Sequence, residues 1–191
     1  MTDLTALKRD LEGLRVTEDP VLVKQKSQDF YWYSPVLKRQ LEHVTGDIVV
    51  SPTSEAEVVQ ALKAAYAHGV PVTPRGAGTG NYGQAMPLSG GMVLNLARMN
   101  KVTAIRPGAV AAEAGAVLAQ MDMQTRARVG QEMRLFPSTY RMATIGGFLA
   151  GGSGGVGSIR WGGLRNLGNV MRVRLVTMEA EPRILDLAGE D

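Results

Sequence analysis

The stretch Pro71-Val72-Thr73-Pro74-Arg75-Gly76-Ala77-Gly78-Thr79-Gly80-Asn81-Tyr82-Gly83 constrains the fold more than any other part of the chain. A short extended run enters it, and four glycines follow within eight residues. Glycine has no Cβ, so such a loop reaches positive φ and lies close against a ligand. Its successive N–H groups then converge on an anion without a charged side chain. A pyrophosphate is the expected guest.

Gly78-x-Gly80-x-x-Gly83 also fits the glycine fingerprint of the Rossmann fold. That fingerprint needs a helix opening inside it and an acidic residue about 20 positions on. Gln84 to Gly91 holds Pro87, Gly90 and Gly91, which cannot open a long helix. No Asp or Glu stands between Gly80 and Ile105, so the ribose-binding acid is missing too. The Rossmann reading fails on context.

A second motif lies downstream. Phe136-Pro137-Ser138 precedes Ala143-Thr144-Ile145-Gly146-Gly147, and the run Gly151-Gly152-Ser153-Gly154-Gly155-Val156-Gly157 leads to Arg160-Trp161-Gly162. Half of the residues from Gly146 to Gly163 are glycine, which a flexible linker would explain. A linker, however, has no use for Phe148, Leu149 or Trp161. The pattern predicts a short helix from about Thr144 with its N-terminus toward the pyrophosphate, followed by a tight glycine turn.

The first motif continues as Pro87-Leu88-x-Gly90-Gly91-x-Val93-Leu94-Asn95-Leu96-x-Arg98-Met99-Asn100. With the second it resembles the FAD-binding domain of the vanillyl-alcohol oxidase/p-cresol methylhydroxylase (PCMH) family. Within that family it looks most like the glycolate oxidase FAD subunit and the FAD-linked D-lactate dehydrogenases. The resemblance covers Asp47 to Val176. It implies an α+β fold of two small α/β lobes with FAD between them. It also implies that Pro74, Arg75, Gly76, Ala77, Gly78, Thr79, Gly80 and Asn81 hold one side of the pyrophosphate, largely through backbone N–H groups. Pro137, Ser138, Thr144, Gly146, Gly147, Gly151, Gly152, Ser153, Gly154, Val156 and Gly157 are implied for the other side. On the residues alone, Arg75 pairing with a surface acid, and Ser138 and Thr144 merely capping helices, stay open.

Some members of the family tether FAD through a histidine in the first loop, and Thr79 occupies that position here. Non-covalent FAD is therefore expected. The implied parent oxidises a 2-hydroxy acid, glycolate or D-lactate, by hydride transfer to flavin N5. Another alcohol substrate and a non-catalytic flavin- or nucleotide-binding module are the alternatives. In the family a substrate-binding cap domain follows the FAD domain, whereas this sequence stops at Gly189-Glu190-Asp191. A piece of a longer chain is expected, with the small-molecule substrate and an electron-acceptor partner belonging to the whole. No residue is assigned a catalytic or metal-ligating role.

The residues group into an N-terminal helical arm (1–45), a first FAD-binding lobe (46–106) and a second (107–191). With 191 residues and a 45% apolar fraction the chain makes one domain or two small lobes. No run of about 18 apolar residues exists to span a membrane, and the start lacks the pattern of a secretory signal. There is no cysteine to act as nucleophile, thiolate ligand or disulfide partner. The net charge of +3 is small and dispersed, and aromatics for base stacking are few, which argues against nucleic acid. A cytoplasmic location is expected, with peripheral membrane association as the alternative.

Leu4, Leu7, Leu11 and Leu14 predict an amphipathic helix ending near Gly13. Asp19-Pro20 predicts a capped helix to about Gln28. Phe30-Tyr31-Trp32-Tyr33 reads as a hydrophobic anchor or, alternatively, a wall of the flavin pocket. A strand at Asp47–Val50, a helix from Glu55 closed by His68, and a strand at Val70–Val72 deliver the chain into the glycine loop. Strands are expected at Met92–Leu96, Lys101–Arg106 and Ala109–Ala114, then an alanine-rich helix from Gly115 to about Arg126. Met121 and Met123 read as gap-filling core. A hairpin pairs Asn166–Met178 with Arg183–Asp186.

Overall fold

The computed structural model describes residues 4–152, 154–166 and 168–188. Helix α1 (Leu4–Asp10) leads through the short strand β1 (Val16–Thr17) to α2 (Pro20–Lys26). Asp19 caps α2 by accepting from the N–H groups of Val21 and Leu22 at 3.0 and 2.9 Å. A 3-10 turn (Tyr31–Tyr33) and α3 (Pro35–Leu41) follow.

A βαβ unit follows: β2 (Ile48–Val50), α4 (Glu55–Ala67) and β3 (Val72–Arg75), with β4 (Met92–Asn95) inserted between the two strands. The sheet order is β1-β2-β4-β3, with β2, β4 and β3 parallel and β1 antiparallel at the edge. Strands buried on both faces must be apolar without alternation, and Ile48-Val49-Val50 and Met92-Val93-Leu94 are. Successive side chains go to opposite faces. Ile48, Val50, Met92 and Leu94 meet α4 and α1 through Val58, Ala61, Leu62, Ala65, Leu7 and Leu11. Val49 and Val93 meet Val23 of α2 on the other face.

Ser54 accepts from the Glu57 N–H at the start of α4, while Glu57 reaches back to the N–H and hydroxyl of Thr53. His68 caps the other end, and its Nε2 lies 2.8 Å from the Asp10 carboxylate of α1. Both ends of this helix were legible in its flanking residues.

The second core gathers Ala116, Leu118, Met121, Leu135, Ala143, Phe148 and Leu164 beside a hairpin of β5 (Val102–Arg106) and β6 (Ala109–Ala112). Helix α5 (Leu118–Val129) starts later than expected from Gly115. Gly115 instead runs against the carbonyls of Leu96 and Met99, so close that a Cβ would sit 2.1 Å from Leu96 O. Met121 is core as predicted, but Met123 is exposed, because residues two apart on a helix face different directions. Helices α6 (Ile145–Gly151) and α7 (Ser158–Trp161) follow. The hairpin β7 (Arg172–Val176) and β8 (Ile184–Ala188) begins later than expected. Asn166 and Asn169 hold the preceding residues in turns by bonding to Gly163 and Trp161. Val176 packs on the first core, and Lys63 of α4 pairs with Glu181 at 2.7 Å.

Asp122 fastens the second core. Its buried carboxylate accepts from Arg126 Nε, Met133 N–H and Tyr140 O–H at 2.7, 2.7 and 2.8 Å. Burial disfavours the ion, yet these three donors outweigh it and hold the carboxyl below its ordinary range. A group depressed in the folded state adds stability that is complete above its unfolded pKa and lost as pH falls through the folded value. Asp122→Ala is expected to lower unfolding free energy by about 2 kcal/mol at neutral pH, since it leaves the half-buried Met133 N–H and Tyr140 O–H without their acceptor. The gap to the parent should narrow in acid below about pH 3.8; urea melts at several pH values measure both.

Candidate functional site

The parallel strands end together, and ligands of α/β sheets gather at such carboxyl ends. At this edge lie Ser51 after β2, Arg75 closing β3 and Asn95 closing β4, with Asn95 Nδ2 donating to Ser51 Oγ at 3.2 Å. From Arg75 the chain enters the glycine loop. Its guanidinium does not reach solvent or pair with a surface acid. It is 8% exposed and donates inward to Gln28 O and to Ala77 O. The loop is wound around it: Gly78 has φ +67°, and a Cβ there would lie 2.2 Å from the guanidinium carbon. Phe30 N–H donates to Gly80 O at 2.7 Å, tying the loop to the segment after α2.

Loop carbonyls thus point inward, at Arg75 and Phe30. Among the described residues, the N–H groups from Gly76 to Asn81 donate to no protein acceptor. Backbone donors are rarely left over without a purpose. Consecutive free N–H groups on a curved loop form an anion cradle.

The second motif meets this loop directly. A Cβ on Gly76 would fall 2.1 Å from Thr144 Oγ1, and Thr139 Oγ1 lies 3.4 Å from Thr79 Oγ1. Thr144 caps α6 by accepting from Gly147 N–H at 3.3 Å. The N–H groups of Ile145 and Gly146 are taken by Ala116 O and Ala114 O, both at 2.9 Å. The helix start expected to offer donors to a pyrophosphate therefore spends them on its own scaffold. Phe136 and Val156 exchange backbone hydrogen bonds, which brings Pro137 beside the glycine run.

Between the motifs opens a cavity of about 660 Å³, within the range of small-molecule and cofactor sites. Thr79, Asn81, Pro137, Ser138 and Val156 line it, all anticipated. Ser138 is thus a wall residue, whereas Thr144 is a cap. The aromatic cluster divides: Tyr31 is buried as an anchor, while Phe30 and Tyr33 form the cavity wall. Thr139, Tyr140 and Arg141 also line it and were not anticipated, although they directly follow Ser138. Pro74 ends in the sheet, and Ala77 contributes its carbonyl to Arg75. Gly151 and Gly152 lie exposed at the C-terminal end of α6, where Gly152 is the left-handed cap. Gly154 packs near Ser158 and Gly157 against Arg134 O. Ser153 lies outside the described residues.

Among the described residues no carboxylate lines the cavity, and Arg141 does. Neither histidine reaches it: His43 borders a different cavity of about 480 Å³, and His68 pairs with Asp10. Among the described residues no His/Asp/Glu cluster could hold a metal ion. A run of free N–H groups, close glycine backbone and a cationic wall suit a dinucleotide diphosphate.

A family model described as an FAD-binding domain matches residues 46–186, most of the chain. The chain belongs to that family of FAD-binding domains. This FAD-binding domain is 34% identical to D-lactate dehydrogenase of Archaeoglobus fulgidus over 144 residues, 75% of the chain and 31% of that protein. It is 32% identical to glycolate oxidase subunit GlcD of Bacillus subtilis over 124 residues, 63% of the chain and 26% of that protein. Its fold matches the crystal structure of an alkyldihydroxyacetonephosphate synthase with a TM-score of 0.77 at 20% identity, covering 94% of the chain and 37% of that structure. The chain thus spans about a third or less of the relatives it matches. The α+β fold is the one the motifs implied, and the cofactor is FAD. Among the described residues no helix of this FAD-binding domain is long and apolar enough to cross a membrane.

Proposed function

We propose that this chain is the FAD-holding part of an oxidoreductase acting on a 2-hydroxy acid of the D-lactate or glycolate type. The observation that carries the reading is the run of unpaired N–H groups from Gly76 to Asn81 beside a cavity without carboxylates. The names of its relatives support the substrate class. In this reading residues 46–106 form one lobe, residues 107–191 the other, and residues 1–45 an arm that adds β1 and α1 to the first. Gly76 to Asn81 hold the diphosphate, and Pro137, Ser138 and Val156 close the opposite wall.

When bound, FAD supplies the redox chemistry by accepting hydride at flavin N5. The chain's own residues bind, orient and shield it. Thr79 cannot form the histidyl tether, so the flavin is held without a covalent bond. Precipitating the FAD-loaded protein with acid should leave the yellow colour in the supernatant; colour fixed in the pellet would contradict this.

Oxidising a hydroxy acid also needs a base to take the hydroxyl proton. No acid occurs from Gly69 to Glu113 or from Pro137 to Met178, and both histidines lie away from the cavity. We assign the base, the substrate pocket and the contact with an electron acceptor to the part of the parent beyond this domain, acting in the cytoplasm. The chain saturated with FAD should reduce a dye acceptor from D-lactate or glycolate no faster than free FAD does. Sustained turnover above that rate would place the base within these residues.

A further inference from the structure

Asp29 is a buried acid that the cavity does not use directly. It is 3% exposed and stands between α2 and the 3-10 turn. Its Oδ1 accepts from Tyr31 N–H at 2.8 Å, while Oδ2 has no hydrogen-bond partner among the described residues. That oxygen lies beneath the glycine loop, 3.3 Å from where a Cβ on Gly80 would be. Its neighbours Gln28 and Phe30 both grip the loop, through Gln28 O on the Arg75 guanidinium and Phe30 N–H on Gly80 O. A buried carboxylate with a spare acceptor is expensive and persists where a function uses it.

We propose that Asp29 is a positioning residue for the diphosphate loop, the fixed anion around which the segment from Arg75 to Ala85 is wound. The inference rests on the FAD reading above. Arg75 enters the loop at one end, and the main-chain N–H groups of Gly83 and Ala85 lie near Asp29 at the other, close enough to stabilise its charge but not bonded to Oδ2. Ionised Asp29 orients both ends, so that carbonyls turn inward and the N–H groups of Gly76 to Asn81 turn to the ligand. Protonated Asp29 loses that hold.

The geometry also makes the device titratable. Burial pushes the carboxyl above its ordinary range, against the N–H groups of Tyr31, Gly83 and Ala85 and the charge of Arg75. Tyr31 and Arg75 are the titratable groups acting on it, and both are far from their own pKa values in mild acid. Positioning by the ion predicts that FAD affinity falls as pH drops through the raised Asp29 value. Simple repulsion between Asp29 and the diphosphate predicts the opposite sign.

The test is FAD affinity of the full chain by flavin fluorescence, from about pH 8 to about pH 4.5. The parent chain should bind at neutral pH and weaken about tenfold on acidification, a change of about 1.4 kcal/mol. Asp29→Asn should bind about tenfold more weakly at neutral pH, with a flat profile. His43→Gln and His68→Gln should keep the parent's step, because neither histidine touches the loop. Affinity that rises in acid, or a step retained in Asp29→Asn, would overturn the proposal while leaving the FAD site intact. If Asp29→Asn fails to fold, the sign of the parent's own profile decides. A parent chain that binds no FAD at any pH would overturn the FAD reading and this inference together.

Discussion

Gly76→Val is expected to abolish FAD binding, with affinity falling at least about 100-fold, or 2.7 kcal/mol. A Cβ at this position would lie 2.1 Å from Thr144 Oγ1 and 3.2 Å from Thr144 Cβ. Valine adds two methyl groups beyond that Cβ, so the two motifs must part. The cavity lies between them, and its opposing walls then no longer meet one ligand. The cause can be isolated with Gly76→Ala, where Thr144→Ala removes the nearest atom. Residues that touch couple non-additively in stability and binding. The double variant should therefore bind FAD more tightly than Gly76→Ala alone. Equal weakening in both would mean that the contact with Thr144 is not what the glycine protects.

Gly147→Val is expected to cost a similar factor in affinity for the opposite reason. Only Thr144 Oγ1, at 3.1 Å, lies near the position of a Cβ on Gly147, and the residue is exposed. Apart from that hydroxyl, which must give by a few tenths of an ångström, the protein offers no obstacle to a Cβ there. Valine has a better helix propensity than the glycine it replaces, by a few tenths of a kcal/mol. The fold should survive, with a melting temperature within a few degrees of the parent. Loss of FAD affinity with retention of fold marks Gly147 as bare backbone against the ligand. Parental affinity would remove the second motif from the diphosphate wall. Gly78 is a poorer probe, because its φ of +67° and the Arg75 guanidinium behind it make any substitution a structural insult.

How far these features can be read in advance depends on how local their causes are. Asp19-Pro20 and Ser54 with Glu57 carry their caps within one turn, so the helices they start were predictable from neighbours. The unbroken apolar runs of β2 and β4 fix their burial in the same local way. The two glycine motifs were legible because few folds use so much close backbone. The start of α5 is not legible locally because Gly115 answers to Leu96 and Met99, contacts made by the fold and not by the helix. The same holds for the first turn of α6, whose donors go to Ala114 and Ala116. Arg75 is the sharpest case. A basic residue in a phosphate loop suggests a side chain that reaches for the ligand, yet its partners are carbonyls of Gln28 and Ala77. Nothing near Arg75 in sequence reveals Gln28, Asp29 or Phe30 behind it. The aromatic cluster could be read as anchor or wall, and it is both, divided between Tyr31 and its neighbours.

The central claim is that the free N–H groups of the first glycine loop hold the FAD diphosphate. Amide chemical shifts of the nitrogen-15-labelled chain titrated with FAD test it residue by residue. The largest changes are expected at Gly76 to Asn81, with further changes at Ser138 and Thr139 across the cavity. Ile145 and Gly146, whose N–H groups are already bonded within the protein, should move little. Shifts centred instead on Thr45 to Asp47, beside the other cavity, or on Ile145 and Gly146 with the loop unmoved, would contradict the account.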